Sequence, residues 1–490
     1  MILDEILKNL KSKKEDRAYT TNNQSYSYAE LYQYICNIYQ FILLNNKEKK
    51  PIIVFGHKEV YMKATFFACS FAGVAYVPID ESIPKERIDL IIKQVNPYCI
   101  FGDLESNQCK NISKKQIYEM MKDETFNEIE RIYLKADDIY YIIFTSGSTG
   151  VPKGVKVTYE NLDSCINWLK EITNAENEVI LNQANFSFDL SVADLYLSAV
   201  SGSEHFILED NMLFDFSNTF KQLKQSNATI AVMTPSFADL LLIDKKFGEE
   251  ILPNLKTIIF CGETLLKTTI QKLYTRFTDI KIINCYGPTE CTFAVTSIEI
   301  TPEILEQENV PIGKPKTNVE IKILDENRRT LSDNQVGEIL VLGESVAKGY
   351  LGEVNEQTFI EYNGKRAYLT GDLGYWSNGN LYYKCRKDKQ IKYKGYRIEL
   401  SDIEKNLYDL NYFEKVKVIE KISEENKVIK LIAFVKLKNN INKTEIEIKK
   451  ELASRLPEYM RPSIKILEGF PINNNGKTDI AKLRGLVNGR

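Results

Sequence analysis

Between residues 52 and 284 short apolar runs alternate with amphipathic helical stretches, and this alternation restricts the fold more than any other feature. Residues 52–55, 73–80, 99–101, 141–144, 178–182, 228–233, 256–260 and 280–284 read as strands. Helical patterns at 61–72, 84–94, 161–172, 217–225, 236–243 and 267–276 separate them, after helices at 3–15 and 28–46. Strands joined through helices predict a largely parallel α/β sheet. Ligands of such sheets sit beyond the carboxyl ends of the strands. Three of those ends are rich in glycine, hydroxyls or glutamate: 145–154, 261–263 and 286–290. From about residue 295 the pattern turns strand-rich with glycine turns (319–324, 337–342, 348–351, 367–370, 381–384), which predicts a β subdomain. Residues 104–137 read as a polar connector, and Ser401-Asp-Ile-Glu404 as a capping box opening a helix. The last hundred residues read as a compact α+β unit, large enough to be a domain.

Composition excludes several functions. A net charge of −3 gives no electrostatic case for nucleic acid. Two histidines, His57 and His205, make a histidine metal site or a Ser-His-Asp triad a poor fit. Nine cysteines without a Cys-x-x-Cys pair predict reduced thiols in a cytoplasmic protein. No apolar run reaches transmembrane length, so no membrane insertion is expected.

The stretch Tyr141-Ile-Ile-Phe-Thr-Ser-Gly-Ser-Thr-Gly-Val-Pro-Lys-Gly-Val155 carries the first chemistry. An apolar strand enters a loop with glycines at 147, 150 and 154, hydroxyls at Thr145, Ser146, Ser148 and Thr149, and the charge of Lys153. Glycines permit φ > 0 and close backbone approach. Backbone N–H groups with hydroxyls and a lysine suit an oligophosphate. Glycine follows Lys153, so this is not a Walker A sequence. Residues 155–158 are extended, so the cradle is a backbone nest rather than a helix N-terminus. Taken alone, such a loop is as readily a plain Gly/Ser surface loop.

In register with this loop stand Asn185-Phe-Ser-Phe-Asp189, Tyr286-Gly-Pro-Thr-Glu290, Thr370-Gly-Asp372, Arg386-Lys-Asp388 through Arg397, and Asn475-Gly-Lys477. Together they resemble the core motifs of the adenylate-forming (ANL) superfamily, amino-acid adenylation type. The run 181–192, Thr234-Pro-Ser-Phe237 and Phe260-Cys-Gly-Glu263 are most similar to stand-alone D-alanine–D-alanyl carrier protein ligases.

The resemblance implies a large N-terminal domain of α/β sheets plus a β subdomain (1–387), and a small mobile α+β C-terminal domain (388–490) with its hinge at Asp388. It implies an ATP- and Mg²⁺-dependent ligase that forms aminoacyl-AMP. The acyl group then passes to the phosphopantetheine thiol of a separate acyl or peptidyl carrier protein, as in teichoic acid D-alanylation. Thr145, Ser146, Gly147, Ser148, Thr149 and Lys153 would hold the β/γ-phosphates, and Glu290 the Mg²⁺. Thr289 would contact the α-phosphate and Tyr286 the adenine. Asp372 would accept from the ribose hydroxyls, and Arg386 would bind the ribose–phosphate region. Lys477 would bridge the substrate carboxylate and the α-phosphate. Asp189 would pair with the substrate ammonium, a contact with no purpose in an acyl- or aryl-CoA ligase of the same fold. Leu190, Ala193, Ile259, Cys261, Cys285, Phe293 and Ala294 would line an otherwise apolar pocket for a small amino acid. Phe293 stands where a small valine is expected, so glycine, L-alanine, serine and β-alanine stay open beside D-alanine. Cys385 replaces the usual glycine before Arg386. A monomer is expected, and a basic run at 384–397 that could attract an acidic carrier. A carboxylate–CoA ligase and a non-catalytic nucleotide scaffold are the alternatives; Asp189 speaks against the first, and Lys153, Glu290, Asp372 and Lys477 against the second.

Overall fold

A computed structural model describes residues 1–130, 133–147, 150–209, 215–352, 357–388, 390–423, 427–471 and 478–488. They form two compact units. The first holds Met1–Asp80, Gln94–Ile143 and Gly154–Lys387; the second holds Glu81–Lys93, Phe144–Lys153 and Asp388–Arg490.

The first unit is built on sheets of the expected α/β kind. A nine-stranded sheet runs, in spatial order, Lys314–Pro315, Thr296–Glu299, Lys281–Tyr286, Thr257–Phe260, Ile230–Met233, Val179–Asn182, Glu204–Ile207, Arg17–Thr20 and Ser25–Ser27. Its six central strands, from Lys281–Tyr286 to Arg17–Thr20, are mutually parallel. A six-stranded sheet orders Lys110–Ile112, Cys99–Phe101, Ile52–Gly56, Tyr76–Asp80, Ile139–Thr145 and Lys153–Thr158. Strands such as Ile52–Gly56 are apolar at nearly every position because both faces are covered. Helix Val60–Ala72 is buried along its whole length and includes one charged residue, Lys63. A five-stranded antiparallel sheet forms the β subdomain, with Lys365–Ser377 paired to Gly337–Gly343, Phe359–Tyr362 and Asn380–Arg386.

In the second unit, the hairpin Gln390–Tyr393/Tyr396–Glu399 precedes helix Leu400–Tyr408. A three-stranded sheet follows, Phe413–Ile422, Val428–Leu437 and Ser463–Ile466, with helices Glu445–Leu452 and Ile480–Asn488. No helix among the described residues is long and apolar enough to cross a membrane, and all nine cysteines are free thiols.

Three local readings change. The polar connector contains helix Lys114–Met121, opened by a capping box of Ser113 and Gln116. Residues 348–351 form no strand, only a single bridge between Val155 and Tyr350. The box at Ser401 does not form: the helix starts at Leu400 behind Glu399, so Ser401 falls inside the first turn. Asp402 and Glu404 are spent on tertiary partners, Arg87 and Lys417.

Candidate active site

Strand Lys281–Tyr286 ends in Tyr286-Gly-Pro-Thr-Glu290, which closes into a single 3-10 turn at Thr289–Cys291. Asp372 lies on Lys365–Ser377 directly opposite Arg386 in the antiparallel pair. Tyr286 Oη donates to Asp372 Oδ2 at 2.6 Å. Arg386 Nη1 donates to Asp372 Oδ1 at 3.0 Å and to Thr370 O at 2.8 Å. Thr370 Oγ1 accepts from the Asp372 N–H, which fixes the carboxylate's backbone. Burial, and then the Asp372 charge, push the Tyr286 phenol well up, so it stays a donor. A carboxylate offers about four lone-pair directions. Two are used here, which leaves acceptor capacity suited to a vicinal diol.

Glu290 is buried, and its Oε1 accepts from Tyr350 Oη at 2.7 Å. Its carbonyl accepts from Ala347 N–H, so both ends of the residue are tied to the 345–350 turn. A buried, oriented carboxylate is the hard oxygen donor that Mg²⁺ takes. Among the described residues no group of three or more His, Cys, Asp and Glu could hold a metal. An ion here would therefore rest on Glu290 together with oxygens of the nucleotide. Thr289 is buried beside it.

The residues expected to meet the amino acid begin at helix Leu190–Ser201. Asp189 is its N-cap, 7% exposed, yet its carboxylate makes no capping bond. Leu190, Ala193, Ile259, Cys261, Cys285, Phe293 and Ala294 belong to one buried apolar cluster. Cys261 Sγ donates to Phe293 O at 3.8 Å. Thr292 and Phe293 both adopt left-handed φ, 60° and 63°, a sparsely populated state for non-glycine residues. Thr292 Oγ1 anchors the bend on Ser345 O, and a Cβ on Gly287 would meet Ala294 Cα at 2.6 Å. The cluster includes Cys165, which the sequence did not single out. Burial pushes the Cys165 thiol up; the Lys316 ammonium and the Ala294 N–H oppose it, and the Asp189 carboxylate reinforces it. Burial also pushes Cys285 well up, with Cys261 and Cys165 adding to it. Thiols held protonated by burial are poor nucleophiles.

Thr145, Ser146, Gly147 and Lys153 belong to the second unit; Ser148, Thr149 and Lys477 lie outside the described residues. Of the loop glycines only Gly150 has positive φ, 76°. Gly147 is needed for space instead, because a Cβ would meet Val151 O at 2.2 Å. Ser146 Oγ donates to Arg397 O at 2.7 Å. Asp388 Oδ1 accepts from Gln390 N–H at the start of the hairpin. Arg87 and Asp402 form a buried ion pair at 3.1 Å.

Sequence reading missed Tyr350, Cys165 and Lys316, and it placed Thr370 in a motif without giving it a role. Lys316 is buried, donates to Ser164 Oγ at 2.9 Å, and is pulled down chiefly by burial. None of the missed three sits in a distinctive spacing; Tyr350 alone carries a hint, as a tyrosine after Lys348-Gly349 beyond a strand.

An AMP-binding enzyme family model matches residues 7–351. The chain belongs to the AMP-binding enzyme family. It is 41% identical over 483 residues to a D-alanine–D-alanyl carrier protein ligase of Listeria monocytogenes, covering 94% of each chain. It is 39% identical to the ligase of the same name from Bacillus licheniformis, over 89% of each. Its fold matches a Vibrio cholerae adenylation domain solved with glycyl-adenosine-5'-phosphate at a TM-score of 0.85, with 21% identity, over 100% of this chain and 98% of that one.

Proposed function

We propose that this protein is an ATP-dependent ligase that activates D-alanine as its adenylate and passes the acyl group to the phosphopantetheine thiol of a carrier protein. One observation carries the reading. A buried aspartate that does not cap its own helix lies close enough to Cys165 for its charge to act on that thiol, which neighbours Ala294 and Cys285, in a chain about 40% identical over most of its length to ligases named for that reaction. A single carboxylate amid thiols, alanines and a phenylalanine fits a compact substrate with one ammonium and no further polar group. Asp372 with Tyr286 and Arg386 fits a ribose, and Glu290 fits a magnesium-bound phosphate.

In the first step a substrate carboxylate oxygen bonds to the α-phosphorus and the bond to the β-phosphate oxygen breaks, releasing pyrophosphate. In the second, the carrier thiolate bonds to the acyl carbon and the acyl–phosphate bond breaks, releasing AMP. Bound Mg²⁺ supplies charge neutralisation between the two anions of the first step. Glu290 holds that position, Asp372 holds the ribose, and Asp189 orients the ammonium so that the carboxylate faces the α-phosphorus. Positioning and charge stabilisation are the main sources of rate for such a transfer. Lys477 is assigned the bridge between the two anions by its place in Asn475-Gly-Lys477. Amino-acid-dependent ATP–pyrophosphate exchange, run with both alanine enantiomers, glycine, serine and β-alanine, tests the reading. Highest kcat/KM with D-alanine is expected; exchange only with fatty or aryl acids would overturn it.

A further inference from the structure

The segment from Gln183 to Asp189 leaves strand Val179–Asn182 and enters helix Leu190–Ser201, carrying Phe186 and Asp189 between two regular elements. Polar side chains at its two ends are bonded to each other. Asn182 Nδ2, at the last residue of the strand, donates to Asp194 Oδ1 at 2.9 Å, and also to Ala184 O at 3.0 Å. Asp194 lies in the second turn of the helix and is fully buried. The same Oδ1 accepts from His205 Nε2 at 2.8 Å, on the neighbouring strand Glu204–Ile207. His205 Nδ1 faces Lys63 Nζ at 3.4 Å, and Lys63 Nζ donates to Ala18 O at 3.0 Å. Burial, then the charges of Lys63 and Lys58, keep the imidazole neutral. Nε2 then carries the proton given to Asp194, and Nδ1 accepts from the lysine. The Phe186 ring stacks on that imidazole, centroids 6.3 Å apart at 27°, and meets Phe66 edge-on at 5.7 Å.

The loop is thus closed at its neck by Asn182 and Asp194 and pinned at its middle by Phe186 on His205. Asp194 is the only carboxyl of this helix, and burial pushes it well up, so placing it there is costly. Nothing in the adenylation chemistry touches Asp194, and what it fixes is the seven-residue loop that ends in Asp189. We infer that Asp194, with Asn182 and His205, is a positioning residue that sets the placement of Asp189 for the substrate ammonium. The inference rests on the reading of Asp189 as the ammonium ligand. Locking the rotamers and backbone around a ligating group is how a scaffold holds it to a fraction of an ångström.

The test is a mutant cycle read by ATP–pyrophosphate exchange with D-alanine. Asp194→Ala is expected to lower kcat/KM for the amino acid about tenfold or more while the ATP KM moves less than about twofold. Asp194→Asn keeps an acceptor for both donors and is expected to restore most of that loss. In an Asp189→Ala background, Asp194→Ala should add little, because its effect runs through Asp189. Equal changes in the two substrates' parameters, or full additivity in the double variant, would overturn the proposal, as would failure of Asp194→Asn to recover. If Asp194→Ala is not recovered folded, His205→Leu removes one donor to the same oxygen, and an unchanged amino-acid kcat/KM there is equally fatal. Asp189→Ala separates the two levels. If it leaves the amino-acid kcat/KM unchanged, the reading of Asp189 falls and the proposal with it. If it acts and Asp194→Ala does not, the proposal alone falls.

Discussion

Tyr286 and Asp372 are 86 residues apart in the chain, and their oxygens are 2.6 Å apart, both buried. The phenol donates to the carboxylate proposed for the ribose, so beside the adenine contact proposed for its ring it would act on the nucleotide through Asp372. A hydrogen bond to a charged group is worth about 1.5–3 kcal/mol. Tyr286→Phe is therefore expected to lower kcat/KM for ATP by roughly ten- to a hundredfold with the amino-acid KM little changed. Steady-state exchange kinetics with each substrate varied in turn check this.

Tyr350 plays the corresponding part for Glu290. Tyr350→Phe removes a donor from a buried carboxylate, whose orientation for a cation then loosens. The Mg²⁺ concentration for half-maximal exchange should rise severalfold, while the rate at saturating Mg²⁺ recovers. A magnesium titration of both proteins decides; identical curves would remove Tyr350 from the site.

The Arg87–Asp402 pair ties two segments of the second unit. Breaking a buried pair by deleting one partner typically costs about 3–5 kcal/mol. Burial already raises the Asp402 carboxyl and Arg87 holds it down. Without Arg87 the carboxyl rises further, so the penalty should shrink as pH falls and Asp402 takes up a proton. Thermal unfolding of Arg87→Ala should show a large deficit at neutral pH and a smaller one near pH ~5.

Burial depresses Lys63 to about 7 and Lys58 to about 8, from the usual 10.5. Lys63 faces His205 and the Asp194 charge; Lys58 faces Asp194, Asp80 and Glu209. For a depressed group, stability is full above the unfolded value and is lost as pH falls through the folded one. These lysines therefore make the first unit more stable as pH rises from about 7 toward 9, by up to about 1.4 kcal/mol per unit for each group that is titrating. Urea midpoints across that range should climb in the wild type and climb less steeply in Lys63→Met, where Lys58 alone still titrates. Parallel slopes would show that Lys63 does not titrate there.

Lys477→Ala should abolish adenylate formation yet leave acyl transfer from supplied aminoacyl-AMP to the carrier. Single-turnover assays of the two half-reactions separate them, and equal loss in both would remove the one-sided role given to Lys477.

The sequence shows its parallel sheets because residues such as Ile52-Ile-Val-Phe55 must be apolar on both faces, a pattern that survives without context. The site residues Asp189, Glu290 and Asp372 were readable because each stands in a short string at the end of, or on, a strand. Their supports were not. Tyr350, Asp194 and His205 act through side-chain bonds to partners on other elements or far along the chain, and nothing local marks such a partner. The misplaced capping box shows the same limit. Ser401-Asp-Ile-Glu404 has the right residues, but the preceding strand ends at Glu399 and the helix begins two residues early, leaving the acids to Arg87 and Lys417.

The spread of these partners along the chain also bears on how the enzyme assembles. Asn182, Asp194 and His205 lie within 23 residues of one another, so the loop bearing Asp189 closes from nearby chain. Tyr286 and Asp372 must bring together two sheets across a much longer intervening segment. Contacts of long sequence separation cost loop entropy before they return any stability, and form slowly. During refolding the loop bearing Asp189 should thus be closed while Tyr286 and Asp372 are still apart. The pairing of Tyr286 with Asp372 then falls among the last events of folding, after the loop from Gln183 to Asp189 has closed.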